Sequence, residues 1–381
     1  MNSLTIRGRI LLGRDLVPGT LVVRDGRIDE ILRDARDVAL NVPRPLFETA
    51  IVAPGFIDLQ VNGGFGVEVG IDADALRQLA GCLPRTGVTA YLPTAITAAP
   101  DFYPRLFAAF DAAHGVPGAR ALGLHLEGPF LSPARKGAHR QDLIESADLN
   151  LFDVFLQNDA VRLVTVAPER PGVPAYIRQL RERNVLVSLG HTDADYEGFV
   201  RGVDMGACMA THVYNAMSPF AHRAPGVIGA SLLDDRVTVG LIADGIHSHA
   251  ASVRLAVNVK GPDRVALVTD MMSAAGLLPG TYSLGDRPVY VDHSAARLAD
   301  GTLAGSIVTL DQAVRNIVCW GGVPPADALR MASEVPARLL GLERMGRIVV
   351  GADANLVLLD ENLSVTGTII DGQRVYEGER L

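Results

Sequence analysis

Four polar residues, Glu127, His191, His212 and Asp270, each stand directly after a short apolar run that is typical of a buried β-strand. The parallel strands of a (β/α)8 barrel place their carboxyl ends on one face, where side chains far apart in sequence can meet. One carboxylate and two imidazoles are a set of ligands that zinc takes at catalytic sites, with one position left open for water. The pattern therefore predicts a metal centre held by Glu127, His191 and His212.

Asp270 brings a second carboxylate to the same predicted face, where burial is costly for an acid unless it is hydrogen-bonded or functional. Beside a metal that lowers the pKa of bound water to about 7, this residue could act as general base and then return the proton to a leaving nitrogen. A structural alternative, the N-cap of the next helix, stays open at this point. Together with the ligand set, Asp270 indicates metal-assisted hydrolysis.

Two further histidines, one in the Glu127 strand and one in the loop after it, could also lie near this centre. His139 lies in a polar loop after it, in Lys136-Gly-Ala-His139, and could donate to the scissile carbonyl oxygen of a substrate. His125 shares one face of the strand with Glu127, because side chains alternate along a strand. We interpret His125 as a core histidine and not as a ligand.

Several residues in later loops could bind an anionic substrate. Asn215 and Ala216 follow the His212 strand, and backbone N–H groups of such a strand-to-loop turn can cradle phosphate. His247 supplies a further polar group, and Arg223 could pair with the same phosphate through two parallel hydrogen bonds. An exposed loop arginine without a ligand remains the alternative for Arg223.

The first predicted barrel strand carries Gln60 and Asn62 where many metal-dependent hydrolases of this architecture have His-x-His and bind two metals. Neutral amides are poor ligands for transition metals. We therefore expect one divalent metal for each chain, with Zn²⁺ favoured and Fe²⁺, Co²⁺ or Mn²⁺ as alternatives.

The composition narrows the class of protein. Of 381 residues, 48% are hydrophobic, and 35 basic residues against 43 acidic ones give a net charge of −8. This balance gives no general electrostatic reason to bind nucleic acid or an anionic membrane. The beginning of the sequence has no apolar segment of a secretory signal, no stretch is long enough to span a bilayer, and the three cysteines are too few for a disulfide framework. These features predict a cytoplasmic enzyme that acts on small molecules.

Strand-like and helix-like segments alternate through most of the chain, which predicts a (β/α)8 barrel. Short strands and turns at both ends predict a small β-sandwich domain from residues 1–50 and 350–381, with the barrel in 51–349. The predicted barrel strands are 51–61, 88–92, 121–126, 161–166, 185–189, 207–211, 237–242 and 264–269. The predicted helices are 72–86, 101–113, 175–183, 248–259, 311–320 and 324–340.

The ordered set of motifs resembles the N-acetylglucosamine-6-phosphate deacetylases of the amidohydrolase superfamily, from about residue 50 to the C-terminus. The motifs are Pro54-Gly-Phe-Ile-Asp58, His125-Leu-Glu-Gly-Pro-Phe, Lys136-Gly-Ala-His139, Gly190-His191-Thr, Thr211-His212-Val-Tyr-Asn215-Ala-Met, Ala243-Asp-Gly-Ile-His247 and Val268-Thr-Asp270. Any one of them is weak, whereas the ordered set is specific.

The resemblance implies roles for individual residues. Glu127, His191 and His212 would hold the metal, Asp270 would be the acid and base, and His139 would contact the acetyl carbonyl.

It also implies a site for the sugar phosphate, formed by Asn215, Ala216 and His247. Arg223 would reach the phosphate in the neighbouring subunit, which implies a homodimer. Gln60 and Asn62 match the branch of the family that binds a single metal.

The expected reaction is removal of the acetyl group from N-acetylglucosamine 6-phosphate. Two alternatives remain from sequence. One is the same chemistry on another N-acyl substrate, such as N-acetylgalactosamine 6-phosphate or an unphosphorylated amide. The other is a catalytically silent sensor of a sugar phosphate, which would have no need for an open metal site and a base.

Overall fold

The main body of the protein is a barrel of parallel strands, seen in a computed structural model that describes residues 3–33, 47–113 and 115–378. The strands in chain order are β1 (Ser3–Leu12), β2 (Asp15–Arg24), β3 (Arg27–Leu32), β4 (Phe47–Pro54), β5 (Phe56–Val61), β6 (Gly63–Gly64), β7 (Val67–Glu68), β8 (Val88–Ala95), β9 (Arg120–Ala121), β10 (Leu124–Glu127), β11 (Val161–Val166), β12 (Leu186–Leu189), β13 (Met209–Ala210), β14 (Thr238–Leu241), β15 (Val265–Leu267), β16 (Gly280–Leu284), β17 (Arg287–Val291), β18 (Ala296–Arg297), β19 (Leu356–Leu359), β20 (Val365–Ile370) and β21 (Gln373–Glu377).

Most of the helices cover the outside of this barrel between successive strands. They are α1 (Ala73–Cys82), α2 (Phe102–Ala112), α3 (Gln141–Glu145), α4 (Leu151–Leu156), α5 (Val173–Glu182), α6 (Tyr196–Asp204), α7 (Gly226–Leu233), α8 (Ala250–Lys260), α9 (Leu310–Gly321), α10 (Pro325–Met331) and α11 (Glu334–Leu339). In the part of the chain that the structure describes, no helix is long and apolar enough to cross a membrane.

Eight parallel strands follow one another around the barrel in the order β5, β8, β10, β11, β12, β13, β14 and β15. The circle closes where Val61 bridges Met271 and where the Asp270 N–H donates to the Gln60 carbonyl at 2.9 Å. Every residue of β8 is buried, as expected for a strand that is covered on both faces. The predicted barrel is therefore confirmed.

Several predicted elements are divided in the structure, among them the strand predicted at 121–126, which forms β9 and β10 with a break at 122–123. The strand predicted at 51–61 is broken at Gly55, so that β4 joins another sheet and only β5 belongs to the barrel. A Cβ atom at Gly55 would lie 2.2 Å from the Thr89 side chain, so this close approach requires glycine. The helix predicted at 324–340 is likewise two helices, α10 and α11, with Ser333 between them.

Both ends of the chain contribute to one seven-stranded sheet, in the order β21, β20, β19, β4, β1, β2, β3. Adjacent strands in this sheet are antiparallel, except that β1 and β4 run parallel to each other. Its tight turns at Asp25-Gly26 and Asp371-Gly372 have positive φ at both positions, as the Asp-Gly pairs predicted. A separate apolar cluster that includes Ile6, Val52 and Leu356 fills one side of the sheet. Residues 34–46 of the predicted 1–50 part lie outside the described residues.

A three-stranded sheet made by β16, β17 and β18 follows the last barrel strand and was not predicted from the sequence. Its buried side chains, among them Leu284 and Leu298, form a third apolar cluster with Met272. Ile96 and Ala138, from the loops after β8 and β10, pack against this cluster. The inserted sheet therefore lies against the loops at the carboxyl ends of the barrel strands.

Replacement of Leu356 by alanine should lower the free energy of unfolding by about 2–5 kcal/mol, because its fully buried side chain packs in the apolar cluster on one face of the seven-stranded sheet. Chemical denaturation measures this change. Val375→Ala, at a more exposed position of β21, should change it by less than about 0.5 kcal/mol. Equal effects of the two substitutions would contradict the assignment of Leu356 to a packed core.

Candidate metal centre and active site

The three predicted metal ligands lie close together at the carboxyl ends of three barrel strands. Glu127 ends β10, His191 follows β12 and His212 follows β13, and all three are at most 5% exposed. Glu127 Oε1 lies 3.1 Å from His212 Nε2 and 3.3 Å from His191 Nε2, and the two Nε2 atoms are 3.1 Å apart. One oxygen and two nitrogens thus form a nearly equilateral triangle.

This triangle has the size that a tetrahedral metal requires. Ligand atoms at usual zinc distances are about 3.3 Å from one another. The His191 Nδ1 lies 2.9 Å from the Arg135 carbonyl, which can only accept, so Nδ1 carries the proton and Nε2 keeps its lone pair for a metal. The three residues therefore fit a divalent metal by chemistry and by spacing.

His139 lies beside the triangle and also offers a nitrogen to it. Ligand atoms of Glu127, His139 and His191 all lie within 4.8 Å of one another, so this trio is a second possible ligand set. However, the Thr97 N–H donates to His139 Nδ1 at 3.2 Å, which leaves the ring proton on Nε2. Nε2 is 3.7 Å from Glu127 Oε2. His139 is therefore arranged as a hydrogen-bond donor, and His212 is the better third ligand.

Burial keeps His139 neutral and lowers its pKa to about 3. A neutral imidazole with its proton on Nε2 can donate to a carbonyl oxygen without the cost of a buried charge. This arrangement suits the predicted contact with the scissile carbonyl.

Asp270 faces the same centre and is held by two amides at the carboxyl end of the first barrel strand, one in β5 and one directly after it. Gln60 Nε2 donates to Asp270 Oδ1 at 3.0 Å and to Glu127 Oε1 at 3.0 Å, and Asn62 Nδ2 donates to Asp270 Oδ1 at 2.6 Å. Burial, together with the negative charge of Glu127, raises the pKa of Asp270 to about 6. Gln60 and Asn62 thus act as donors to carboxylates, and Asp270 is a carboxyl group suited to proton transfer near neutral pH.

The backbone is in an unusual conformation at three of these positions. His191, His212 and Asp270 have φ values of 48°, 30° and 50°, in the left-handed region that residues other than glycine seldom adopt. Such conformations cluster at functional sites, where the surrounding structure enforces them. Each one turns the chain at the end of a strand and directs the side chain into the mouth of the barrel.

His125 lies below this centre inside the barrel, as the sequence analysis interpreted it. Its Nε2 is 2.8 Å from Thr165 Oγ1 and its Nδ1 is 3.3 Å from Thr94 Oγ1. Burial lowers the pKa of His125 to about 4, so the ring is neutral. Both of its nitrogens have partners, and the interpretation of a satisfied core histidine is confirmed.

A cavity of about 340 Å³ opens above the predicted ligands and Asp270. Asn215, Ala216 and His247 lie on its wall after β13 and β14. Asn215 Nδ2 donates to the carbonyls of His212 and Val213, so this amide fixes the turn. Among the described residues the Ala216 N–H has no acceptor, so it is available to an anion.

His247 is oriented by a neighbouring acid that the sequence analysis did not select. Its Nδ1 lies 2.7 Å from Asp244 Oδ2, and the N–H groups of Ile246 and His247 donate to Asp244 Oδ1. Nε2 therefore remains for a ligand.

Unlike the other residues predicted to bind metal or substrate, Arg223 does not line the cavity of its own chain. It lies in a tight turn in which Ala221 and Ala224 exchange backbone hydrogen bonds, and it is exposed. Phe220 beside it is 60% exposed. Within one chain, Arg223 is therefore separate from the other site residues.

Several residues that hold the site together were not predicted from the sequence. Arg135 lines the cavity, and its Nε donates to Asp193 Oδ1 at 2.8 Å. Thr97 fixes the tautomer of His139, and Leu284 of the inserted sheet forms part of the cavity wall. These residues act through backbone groups or packing, which have no motif in sequence.

The comparisons with known proteins agree with this site. Residues 51–375 match the amidohydrolase family, and the chain belongs to that family. It is 39% identical over 391 residues to the N-acetylglucosamine-6-phosphate deacetylase of Homo sapiens, and the alignment covers 97% of this chain and 95% of the human protein. It is also 39% identical over 368 residues to the N-acetylgalactosamine-6-phosphate deacetylase of Escherichia coli O157:H7, with 93% and 97% covered.

A solved structure provides a further likeness over almost the whole chain. It is a variant of N-acetyl-D-glucosamine-6-phosphate deacetylase from Mycobacterium smegmatis in complex with N-acetyl-D-glucosamine-6-phosphate. The two structures superpose with a TM-score of 0.92 at 34% sequence identity, and the superposition covers 98% of this chain and 100% of the Mycobacterium smegmatis chain.

Replacement of His191 by alanine should abolish stoichiometric metal binding, because it removes one corner of the triangle. Metal analysis of the purified variant by mass spectrometry measures this loss. His222→Ala, at an exposed histidine, should keep the metal content of the unaltered protein. One metal for each chain in the His191 variant would count against His191 as a ligand.

Proposed function

We propose that the protein hydrolyses the N-acetyl group of N-acetylglucosamine 6-phosphate to give glucosamine 6-phosphate and acetate. The observation that carries this proposal is the meeting of Glu127, His191 and His212 with Asp270 in one cavity. The relatives with this chemistry in their names span nearly the whole chain, which supports the same activity here.

Glu127, His191 and His212 would hold one divalent metal. Zn²⁺ is proposed, because one carboxylate and two imidazoles are a usual catalytic zinc set, and Fe²⁺, Co²⁺ and Mn²⁺ can share such ligands. When bound, the metal would supply Lewis acidity, polarising the acetyl carbonyl and lowering the pKa of the attacking water.

As general base, Asp270 takes a proton from the water whose oxygen forms a bond to the acetyl carbonyl carbon. Gln60 and Asn62 hold its carboxylate in place by their hydrogen bonds to Oδ1. His139 donates from Nε2 to the carbonyl oxygen as negative charge develops there. Asp270 then gives the proton to the amine nitrogen, and the amide C–N bond breaks.

The sugar phosphate would lie at the other end of the cavity, against the Ala216 N–H, Asn215 and His247. We further propose a homodimer in which Arg223 of one subunit reaches the phosphate bound by the other. Its exposure outside its own cavity supports this role. Phe220, an exposed apolar side chain three positions before Arg223, suits a contact with a second copy.

Two finer assignments accompany this function. We propose the division into a small β-domain of residues 1–50 and 350–381 and a hydrolase barrel of 51–349, which the seven-stranded sheet supports. We also propose the cytoplasm as the site of action, because the net charge of −8 and the few cysteines suit that compartment.

The main alternative within the same chemistry is N-acetylgalactosamine 6-phosphate as substrate. The relative from Escherichia coli O157:H7 that carries this name is as similar to the chain as the human relative is. The two sugars differ only in the orientation of one hydroxyl group, so turnover of each epimer decides between them. A silent sensor is disfavoured, since it needs neither a general base nor an open metal site.

Asp270→Asn should reduce turnover by about 10²–10⁴-fold, because an amide cannot accept the proton from water. Its metal content should stay near that of the unaltered protein, because Asp270 lies outside the triangle of ligand atoms. Acetate release and metal analysis on the same sample measure the two effects. Activity equal to that of the unaltered protein would contradict the role of Asp270 as base.

Arg223→Ala should raise KM steeply for N-acetylglucosamine 6-phosphate and leave the slow turnover of unphosphorylated N-acetylglucosamine unchanged. The reason is that a paired guanidinium recognises phosphate and not the reacting amide. Steady-state kinetics on both sugars, and on the phosphorylated galacto epimer, measure this. Arg201→Ala, at an exposed position on α6, is the control and should change neither constant. Equal losses on phosphorylated and unphosphorylated sugar would contradict a phosphate contact.

A further inference from the structure

A second cavity lies directly behind the first and shares part of its wall. Its volume is about 480 Å³, and Glu68, Phe102 and Arg105 are among its lining residues. Three residues line both cavities: Ile96, Ala138 and Leu284. We call these three residues the partition.

The position of the partition follows from the order of strands around the barrel. Ile96 follows β8 and Ala138 follows β10, which are the second and third barrel strands. Ala216 and His247 follow β13 and β14, the sixth and seventh. In a barrel of eight strands these pairs are opposite each other, so the partition faces the phosphate end across the mouth.

A substrate placed as proposed above would point its acyl chain at the partition. Its phosphate lies at the β13 and β14 side, and its carbonyl lies between Asp270 and His139. The carbon chain beyond the carbonyl continues away from the sugar. That direction leads to Ala138, next to His139 in sequence, and to Ile96, next to Thr97 that binds the His139 ring.

The partition is held in place on both sides. Arg287 Nη1 donates to the Ala138 carbonyl at 3.1 Å. Glu68 accepts hydrogen bonds from Ser283 Oγ and from the Gly285 N–H, on either side of Leu284. Leu284 is 5% exposed within the apolar cluster of the inserted sheet. A wall fixed in this way limits the length of the group in front of it.

From this arrangement we infer that Ile96, Ala138 and Leu284 restrict the enzyme to short N-acyl groups, and that the cavity behind them admits longer chains once the partition is opened. This inference rests on the proposed function. It assigns a specificity role to an inserted sheet that carries none of the groups proposed for catalysis.

The test uses the metal-loaded full-length enzyme with the N-acetyl, N-propionyl and N-butyryl derivatives of glucosamine 6-phosphate. The unaltered enzyme should prefer acetyl. Leu284→Ala and Ile96→Ala should each raise the ratio of kcat/KM for butyryl to that for acetyl by about tenfold or more, the usual size of discrimination by an apolar pocket. Two variants are used so that the test still works if one of them fails to fold. Thermal unfolding of each variant shows whether it is folded.

Leu298→Ala is the matched control. Leu298 is 4% exposed in the same apolar cluster but lines neither cavity, so its truncation loosens the inserted sheet without opening the partition. The ratio of kcat/KM should stay unchanged in this variant. An equal rise in the Leu298 variant would mean that mobility of the sheet sets the preference, which would overturn the inference.

A second readout is inhibition by the released acids. Butyrate should inhibit turnover of the N-acetyl substrate more strongly in the Leu284 and Ile96 variants than in the unaltered enzyme, whereas inhibition by acetate should change little. If the unaltered enzyme releases acetate but both ratios and both inhibition patterns stay unchanged, the inference fails and the proposed function stands. If the unaltered enzyme releases no acid from any of the three substrates, the proposed function fails and the inference with it.

Discussion

The structure around the site depends on one electrostatic constraint: two carboxyl groups, Glu127 and Asp270, are buried a few ångströms apart in a protein interior. Like charges in such surroundings are costly, and the charge of Glu127 contributes to the raised pKa of Asp270. The Gln60 amide relieves part of this cost by donating to both acids. A divalent cation on the triangle of Glu127, His191 and His212 would relieve the remainder. The same pair of acids thus suits a divalent metal and places a second carboxyl group beside it.

The rest of the barrel serves to hold this arrangement. Strand ends supply the side chains, and left-handed backbone at His191, His212 and Asp270 turns them into the mouth. Hydrogen bonds from loops then fix the orientation of two imidazole rings, since the Arg135 carbonyl orients His191 and the Thr97 N–H orients His139. Each contact comes from a strand or loop far away in sequence. Disruption of the barrel would therefore separate all the groups at once.

The sequence predicted that Glu127, His191, His212 and Asp270 would meet, because each follows an apolar run and parallel strands bring their carboxyl ends together. It also predicted the barrel and the contribution of both termini to a sheet, from apolar runs and Asp-Gly turns. The break at Gly55 was missed, because the apolar pattern continues through it and only the contact with Thr89 requires glycine.

The inserted sheet was missed for a related physical reason. Its strands alternate exposed and buried residues over only a few positions, as in β17, and such short patterns are weak in sequence. The second cavity and the partition with Leu284 depend on tertiary packing and have no local pattern at all. Contacts made through carbonyl groups, such as that of Arg135, are independent of side-chain type and could not be predicted.

The most direct test of the proposed single metal centre is a titration of metal-free enzyme with Zn²⁺, with acetate release from N-acetylglucosamine 6-phosphate measured at each addition. Activity should rise in proportion to the metal added and stop at one equivalent for each chain, because Gln60 and Asn62 offer no second set of ligands. A rise that continues to two equivalents, or full activity without metal, would contradict a hydrolase built on one metal and Asp270.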